Sequence, residues 1–223
     1  MSDLPALVFD LDGTLIGSSA GIAAAVNRAL VAEGIAPQSQ AAIQSHVGRG
    51  LPALVAGLLR MLALPPTLAP ALTRAIEDDY TAHPGGAELL YPGVLNALGA
   101  LADQRHALAL CTNKPAAATR AVLAATGLAP FFPHVVTGDS LPVRKPDPAP
   151  LLTAVRATGR SHALYVGDSA VDAETAAGAA LPFLLFTGGY PNGDPARWPI
   201  VGRFSEFAAL PGLISAHLAK QRD

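Results

Sequence analysis

Short apolar runs alternate along the chain with longer segments in which apolar side chains recur at helical spacing. Most of these runs lead into a polar or glycine-containing turn, and they predict strands over residues 6–10, 107–112, 134–137, 163–167 and 183–187. Strands that alternate with helices favour an α/β fold built on a doubly wound parallel sheet. Because ligands bind beyond the carboxyl ends of parallel strands, functional residues are expected at those ends.

The segment between the first and second predicted strands contains no such apolar run. Its pattern predicts four helices, the first capped by Ser18 or Ser19 and stopped by Gly34, and the others over residues 39–46, 52–63 and 67–83. We therefore predict a core domain of residues 1–16 and 87–223 and an all-helical cap domain of residues 17–86. Short helices are also expected over residues 205–220.

The composition narrows the class of protein. Of the 223 residues, 51% are hydrophobic and 14% are charged, which suffices for a buried core and excludes a disordered chain. The net charge of -2, with no basic run, gives no sign of nucleic-acid binding. The longest apolar stretch, residues 51–64, is too short to span a membrane. A single cysteine, Cys111, and a start without a basic or apolar segment favour a cytoplasmic protein without a signal peptide.

Two aspartates, Asp10 and Asp12, come at the end of the first predicted strand, and Gly13 then allows the chain to turn. Side chains two residues apart in an extended segment point the same way, so both carboxylates are expected in one small volume. Two like charges at that distance are costly unless a cation lies between them or one of them carries a proton. Taken alone, the pair is also compatible with a helix cap or a turn, whereas phosphoryl transfer has a direct use for it.

Three further motifs follow later predicted strands. They are Thr112-Asn113-Lys114-Pro115, Lys145-Pro146-Asp147-Pro148 and Gly167-Asp168-Ser169 with Asp172. Each has an ordinary alternative: Thr112 as a helix N-cap, Lys145 as a solvated lysine, and Asp172 as a surface residue of the next helix. Their places in one series, each after a strand, favour a common site.

Together the four motifs resemble the haloacid dehalogenase-like superfamily, in that family's order and over nearly the whole chain. The resemblance implies a Rossmann-like core, and the helical insert lies where the family carries its cap. Among the members, the chain is most similar to phosphoglycolate phosphatases, through Thr112-Asn113-Lys114-Pro115, Gly138-Asp139-Ser140-Leu141-Pro142, Lys145-Pro146-Asp147-Pro148-Ala149-Pro150 and Tyr91-Pro92-Gly93-Val94. It departs from the pattern after the first motif, where many relatives have Asp-Ser and this chain has Gly17-Ser18.

The resemblance implies catalytic and metal-binding roles for three aspartates. Asp10 would be the nucleophile that forms an aspartyl-phosphate. Asp12 would be the general acid for the leaving oxygen and then the base for water. Asp168 would complete a Mg²⁺ site with Asp10 and the backbone carbonyl of Asp12, since Mg²⁺ prefers hard oxygen ligands.

The other motif residues would bind the phosphate or support the site. Thr112 and the backbone N–H of Asn113 would bind phosphate oxygens, and Lys145 would neutralise the phosphate. Gly13 would provide the turn after the first motif. Asp172 would orient Lys145 or a metal-bound water.

Substrate selection is expected in the cap. Residues 46–50 join two predicted cap helices, their two glycines allow the backbone to approach a ligand, and relatives carry a specificity loop about here. Arg49 is the candidate partner for a substrate carboxylate because its guanidinium offers a bidentate fork. An ordinary exposed arginine is the alternative.

The expected function is Mg²⁺-dependent hydrolysis of a small phosphomonoester, by resemblance 2-phosphoglycolate, in a monomer or homodimer with no nucleic-acid or membrane partner. The alternatives are a sugar phosphate phosphatase, a pyrophosphatase, a phosphomutase and a catalytically silent binding module. Asp12 argues against a dehalogenase, since dehalogenases of the superfamily lack the second aspartate. The complete set of Asp10, Asp12, Lys145 and Asp168 argues against a silent module.

Overall fold

The computed structural model describes residues 4–193, 198 and 200–220. Its strands are β1 (Ala6–Phe9), β2 (Ala107–Cys111), β3 (His134–Val136), β4 (Ala163–Gly167), β5 (Phe183–Phe186) and β6 (Ile200–Phe204). Its α-helices are α1 (Ser19–Ala32), α2 (Gln40–Gln44), α3 (Leu51–Met61), α4 (Ala69–Ala82), α5 (Val94–Asp103), α6 (Ala116–Thr126), α7 (Ala149–Ala157), α8 (Ala170–Gly178) and α9 (Leu210–Lys220). Residues 1–3, part of the predicted start, and residues 221–223, part of the predicted core domain, lie outside the described residues.

The six strands form one parallel sheet in the order β3-β2-β1-β4-β5-β6. From the central strand β1 the chain runs outward through β2 and β3, and then returns to the other side of β1 with β4, β5 and β6. The strand order therefore reverses between β1 and β4, which is the place where open parallel sheets bind ligands. The predicted α/β fold with a doubly wound parallel sheet is confirmed.

Both faces of the sheet are covered by helices. Leu7 and Phe9 of β1 belong to one core, which includes side chains of α5, α6 and α9. Ala6 and Val8 belong to the other, which includes side chains of α7 and α8. This alternation follows from the two-residue period of a strand, and burial on both faces explains why β1 has no polar residue.

Helices α1 to α4 lie between β1 and β2 along the chain and pack on one another, α1 against α2 and α4, and α3 against α4. Arg28 of α1 donates to Asp79 of α4 through Nε at 2.7 Å and Nη2 at 2.5 Å. Helix α4 also packs against α6 of the core. This order of elements is consistent with a helical cap, while its boundaries at residues 17 and 86 stay a prediction.

One local prediction is wrong, and one strand was not predicted. Ser18 precedes α1, but its side chain makes no capping hydrogen bond, and Ser19 is the first residue of the helix. No strand was predicted after residue 187, yet β6 pairs in parallel with β5. Strand β6 lies at the edge of the sheet with Val201 and Arg203 exposed, so it carries no continuous apolar run. None of the described helices combines the length and hydropathy that crossing a bilayer requires.

Candidate active site

Three adjacent strands carry the predicted site residues to one edge of the sheet. Asp10 follows β1, Thr112 follows β2, and Asp168 follows β4. The last residue of β1, Phe9, pairs with Leu110 of β2 and with Val166 of β4, so the three strands end almost level. The strand ends therefore bring together three motifs that are far apart in the sequence.

Lys145 supplies the cation at the centre of this edge. Its buried Nζ donates to Asp10 Oδ1 at 2.8 Å, to Asp172 Oδ1 at 2.7 Å and to the Tyr165 hydroxyl at 2.8 Å. These three bonds use all the donors of an ammonium group. Burial opposes the ionised form of Lys145, but the charges of Asp10 and Asp172 outweigh it and raise its pKa. Lys145 is therefore a fixed positive charge beside Asp10 and not a solvated lysine.

The side chain of Asn113 joins the loop after β2 to the loop that carries Lys145. Its Oδ1 accepts from the Lys145 backbone N–H at 3.0 Å, and its Nδ2 donates to the Lys145 carbonyl at 2.9 Å. The same Nδ2 donates to the carbonyl of Gly48, between α2 and α3, at 3.0 Å. One amide side chain therefore sets the position of Lys145 and connects it to the cap loop.

Asp172 lies inside the protein, at the first turn of α8, and not on the surface. Its Oδ1 accepts from Lys145 and from Tyr165, the latter at 2.7 Å, and its Oδ2 accepts from the Ser169 hydroxyl at 2.6 Å. Burial raises its pKa, but the charge of Lys145 and these hydrogen bonds outweigh burial and hold the pKa below its usual value. Both oxygens of Asp172 are thus engaged by protein donors.

Asp168 is buried opposite Asp10 and has only neutral donors among its described contacts. Thr14 Oγ1 donates to its Oδ1 at 2.8 Å, and the Tyr190 backbone N–H donates to its Oδ2 at 2.6 Å. Burial raises the pKa of Asp168 well above its usual range, and the charges of Asp172 and Asp10 raise it further. Gly13, at a φ of +91°, passes so close that a Cβ there would lie 2.3 Å from Asp168 Oδ2. A side chain at residue 13 would therefore displace this carboxylate.

The aspartates described at this edge outnumber the lysines that contact them. Lys114 and Lys145 pair with Asp12, Asp10 and Asp172, and Asp168 has only neutral donors. Burial raises the pKa of Asp10 to about 7, because the opposing charge of Lys145 does not fully compensate for the lost hydration. One carboxylate oxygen each from Asp10, Asp168 and Asp172 lie within 4.8 Å of one another. Asp172 accepts two hydrogen bonds on Oδ1 and three on Oδ2, whereas Asp168 accepts one on each oxygen and Asp10 accepts one from Lys145. Asp10 and Asp168 therefore retain lone pairs that could hold a cation. Buried oxygen ligands that are costly to ionise without a cation fit a divalent metal such as Mg²⁺.

Asp12 has a separate lysine partner, to which the sequence analysis assigned no role. Lys114 Nζ donates to Asp12 Oδ1 at 2.9 Å and to Oδ2 at 3.1 Å. The same Nζ lies 3.8 Å from the ring centre of Tyr80 on α4. Burial disfavours the charged form of Lys114, but the charge of Asp12 more than offsets it and raises the pKa of the lysine. The only signal in the sequence was the place of Lys114 directly after Thr112-Asn113.

A cavity of about 90 Å³ lies between the strand ends that carry Asp10 and Thr112 and the helices α1, α3 and α4. Its lining includes, from the core, Asp10, Asp12, Thr112, Asn113 and Lys114, and from the cap segment, Ile22, Val47, Gly48, Leu51, Leu54, Ile76, Glu77 and Tyr80. Arg49 is absent from the described lining, and its guanidinium lies 3.8 Å from Glu174 with both side chains more than half exposed. The role of Arg49 as a carboxylate partner stays a prediction.

Comparison with known proteins agrees with this geometry. Residues 4–180 match the family model described as haloacid dehalogenase-like hydrolase, and the chain belongs to that family of enzymes. It is 44% identical to the phosphoglycolate phosphatase of Cereibacter sphaeroides, over 97% of this chain and 100% of the relative. It is 39% identical to the phosphoglycolate phosphatase of Rhodospirillum rubrum, over 92% of this chain and 88% of the relative. A solved structure from Haemophilus somnus, described as a predicted phosphoglycolate phosphatase, superposes with a TM-score of 0.87 at 29% identity, covering 96% of this chain and 99% of the other. The resemblance found in the sequence is confirmed, and the chain is a phosphatase-like hydrolase.

Proposed function

We propose that this protein is a Mg²⁺-dependent phosphatase that hydrolyses 2-phosphoglycolate to glycolate and phosphate through an aspartyl-phosphate on Asp10. The observation that carries the chemistry is the buried Asp10 carboxylate, 2.8 Å from Lys145 Nζ, in the lining of a small cavity. The identity to the phosphoglycolate phosphatase of Cereibacter sphaeroides supports the choice of substrate. A cytoplasmic location and a monomeric or homodimeric state stay predictions from the sequence.

The reaction would proceed in two displacements at phosphorus. A carboxylate oxygen of Asp10 attacks the phosphorus, the bond to the glycolate oxygen breaks, and Asp12 gives its proton to that oxygen. Water then attacks the phosphorus of the aspartyl-phosphate and gives a proton to Asp12, which frees phosphate and restores Asp10. The presence of Asp10 and Asp12 in the lining of one cavity supports this division of roles.

Three groups would surround the phosphate during both displacements. Lys145 neutralises negative charge on the phosphate oxygens, and Asp172 and Tyr165 hold its ammonium group in place. Thr112 and the backbone N–H of Asn113 donate to the remaining oxygens. The Asn113 side chain is engaged with the backbone of Lys145, which fixes the loop that presents this N–H.

Asp10, Asp168 and the backbone carbonyl of Asp12 would hold the Mg²⁺ ion. When bound, the ion offsets negative charge so that an anionic nucleophile can approach an anionic phosphate. The raised pKa values of Asp10 and Asp168 support this assignment, because burial disfavours both carboxylates in the absence of a cation. Thr14 and the Tyr190 backbone N–H orient Asp168 by donating hydrogen bonds to its two carboxylate oxygens.

The test of the proposed substrate is phosphate release with Mg²⁺ across a panel of phosphomonoesters, compared by kcat/KM. We expect kcat/KM for 2-phosphoglycolate to exceed that for sugar phosphates and for pyrophosphate, because the relatives that are 44% and 39% identical are phosphoglycolate phosphatases. A higher value for a sugar phosphate or for pyrophosphate would support those alternatives and contradict the substrate. Isomerisation without phosphate release would favour a phosphomutase, and negligible turnover of every compound a silent binding module.

Removal of divalent metal is expected to reduce phosphate release to less than about a tenth of the value with Mg²⁺, since two anions then meet without a bridging cation. The measurement is kcat before EDTA, after EDTA, and after Mg²⁺ is added in excess over the chelator. Thermal unfolding in the same buffers reports whether the fold survives. Full turnover in EDTA by folded protein would contradict the metal assignment.

A further inference from the structure

Lys114 joins the catalytic edge to the cap. Its side chain is only 6% exposed, and its Nζ lies between the carboxylate of Asp12 and the ring of Tyr80. Of the described residues that line the cavity, Lys114 alone has a basic side chain. Lys145 is not among the described residues of that lining, and the Arg49 guanidinium lies 3.8 Å from Glu174.

The ammonium group of Lys114 retains capacity to bind an anion. An ammonium group has three N–H donors. Lys145 donates three hydrogen bonds, to Asp10, Asp172 and Tyr165. Lys114 donates two, and both go to the carboxylate of Asp12. The face of the Tyr80 ring, 3.8 Å from Nζ at its centre, also stabilises the cation.

The chemistry of the reaction brings the far end of the substrate to this ammonium group. Asp12 must reach the oxygen that bridges phosphorus to the leaving group, so the leaving group begins beside Asp12. In 2-phosphoglycolate the carboxylate carbon is only two bonds beyond that oxygen. Lys114 Nζ is 2.9 Å from Asp12, which is within the reach of such a short leaving group.

The other described residues of the lining offer a carboxylate no second cationic side chain. The cap lining includes the apolar side chains of Ile22, Val47, Leu54 and Ile76. Glu77, which is also in the lining, repels an anion. A carboxylate buried away from water needs a charge-assisted hydrogen bond to offset its lost hydration.

We propose that Lys114 binds the carboxylate of the substrate and thereby sets the preference for a carboxylate-bearing phosphomonoester, with Tyr80 holding the ammonium group from the cap. The inference rests on the proposed phosphatase function and adds the residue that selects the leaving group. Arg49 is then not the main carboxylate partner. Substrates of the same length without a negative charge at the far end lose this contact and nothing else.

The experiment compares two substrates on Lys114→Met, which keeps an unbranched side chain one atom shorter and removes the charge. The substrates are 2-phosphoglycolate and ethyl phosphate, in which a methyl group replaces the carboxylate. We expect kcat/KM for 2-phosphoglycolate to fall about ten- to a hundredfold more than kcat/KM for ethyl phosphate, the range typical of a lost charge-assisted hydrogen bond. Both values come from one protein sample, so the folded fraction cancels in their ratio.

A matched control exists because the chain has another lysine at an exposed position, Lys220 of α9. Lys220→Met removes the same charge and should leave the ratio of the two kcat/KM values unchanged. Lys114→Arg restores a cation and should recover part of the preference. Should Lys114→Met fail to fold, Tyr80→Leu provides a second measure, because it removes the ring that holds the ammonium group and should lower the same ratio.

The outcomes separate this inference from the proposed function. If Lys114→Met lowered kcat/KM equally for 2-phosphoglycolate and for ethyl phosphate, Lys114 would serve only Asp12 and the inference would be overturned. Phosphate release by the unaltered protein without preference for 2-phosphoglycolate over ethyl phosphate would also overturn it, while the phosphatase chemistry would stand. Absence of phosphate release from either substrate would contradict the proposed function and the inference with it.

Discussion

Replacement of Asp10 by asparagine is expected to lower kcat for phosphate release by about 10⁴-fold or more, because an amide oxygen does not displace an alkoxide from phosphorus. The fold should survive. Asparagine has the shape of aspartate, its oxygen still accepts from Lys145 Nζ, and the carboxylate it replaces is buried with a pKa raised to about 7. The measurements are steady-state phosphate release and thermal unfolding of the same preparation.

A control and a trapping experiment make this result specific. Asp103→Asn makes the same chemical change at an exposed position at the end of α5 and should leave kcat unaltered. Rapid acid quenching followed by intact-mass analysis should detect a phosphorylated protein only when Asp10 is present. Turnover by Asp10→Asn above about a hundredth of the unaltered rate, in a preparation free of unaltered protein, would exclude Asp10 as the nucleophile.

Replacement of Lys145 by methionine is expected to reduce both stability and activity. The change leaves the buried carboxylates of Asp10 and Asp172 without their shared cation, and breaking a buried ion pair in this way costs about 3–5 kcal/mol in the free energy of unfolding. It also removes positive charge from the phosphate site, which we expect to lower kcat/KM by about 10³-fold. Urea unfolding measures the first effect and phosphate release the second.

The double variant Lys145→Met with Asp172→Asn separates the two effects. Removing the charge of Asp172 together with that of Lys145 should recover much of the lost stability, because one buried charge fewer is left unpaired. Activity should stay low, since the phosphate still lacks its cation. Recovery of activity along with stability would mean that Lys145 acts only as a structural counter-ion.

The apolar runs predicted five of the six described strands, including β3 at one edge of the sheet, and missed β6 at the other edge. Strands β1, β2 and β4 are buried on both faces, so each is a continuous apolar segment with a recognisable end. Those ends carry Asp10, Thr112 and Asp168, which is why the series of motifs could be recognised before the fold was described. Strand β6 has one neighbour and an alternating, half-exposed pattern that includes Arg203, so its residues do not differ clearly from those of a loop.

The partners within the site were harder to predict because they depend on the packing of distant elements. Tyr165 has the pattern of an ordinary core aromatic of β4, yet its hydroxyl contacts Lys145 and Asp172. The contact of Lys114 with Tyr80 depends on where α4 of the cap packs against the core, which no local spacing encodes. The sequence therefore indicated the candidate site residues, and the structure was needed to find the residues that hold them in place.

The central place of β1 in the sheet has a consequence for synthesis of the chain. This strand leaves the ribosome well before its neighbours, since Ala6 pairs with Ala107 on one side and with Ala163 on the other. Until both have emerged, an apolar strand with unpaired backbone groups is available to other nascent chains, as is typical of long-range parallel pairing. A chain interrupted before Ala163 would contain Asp10 without Asp168 and would leave one edge of β1 unpaired.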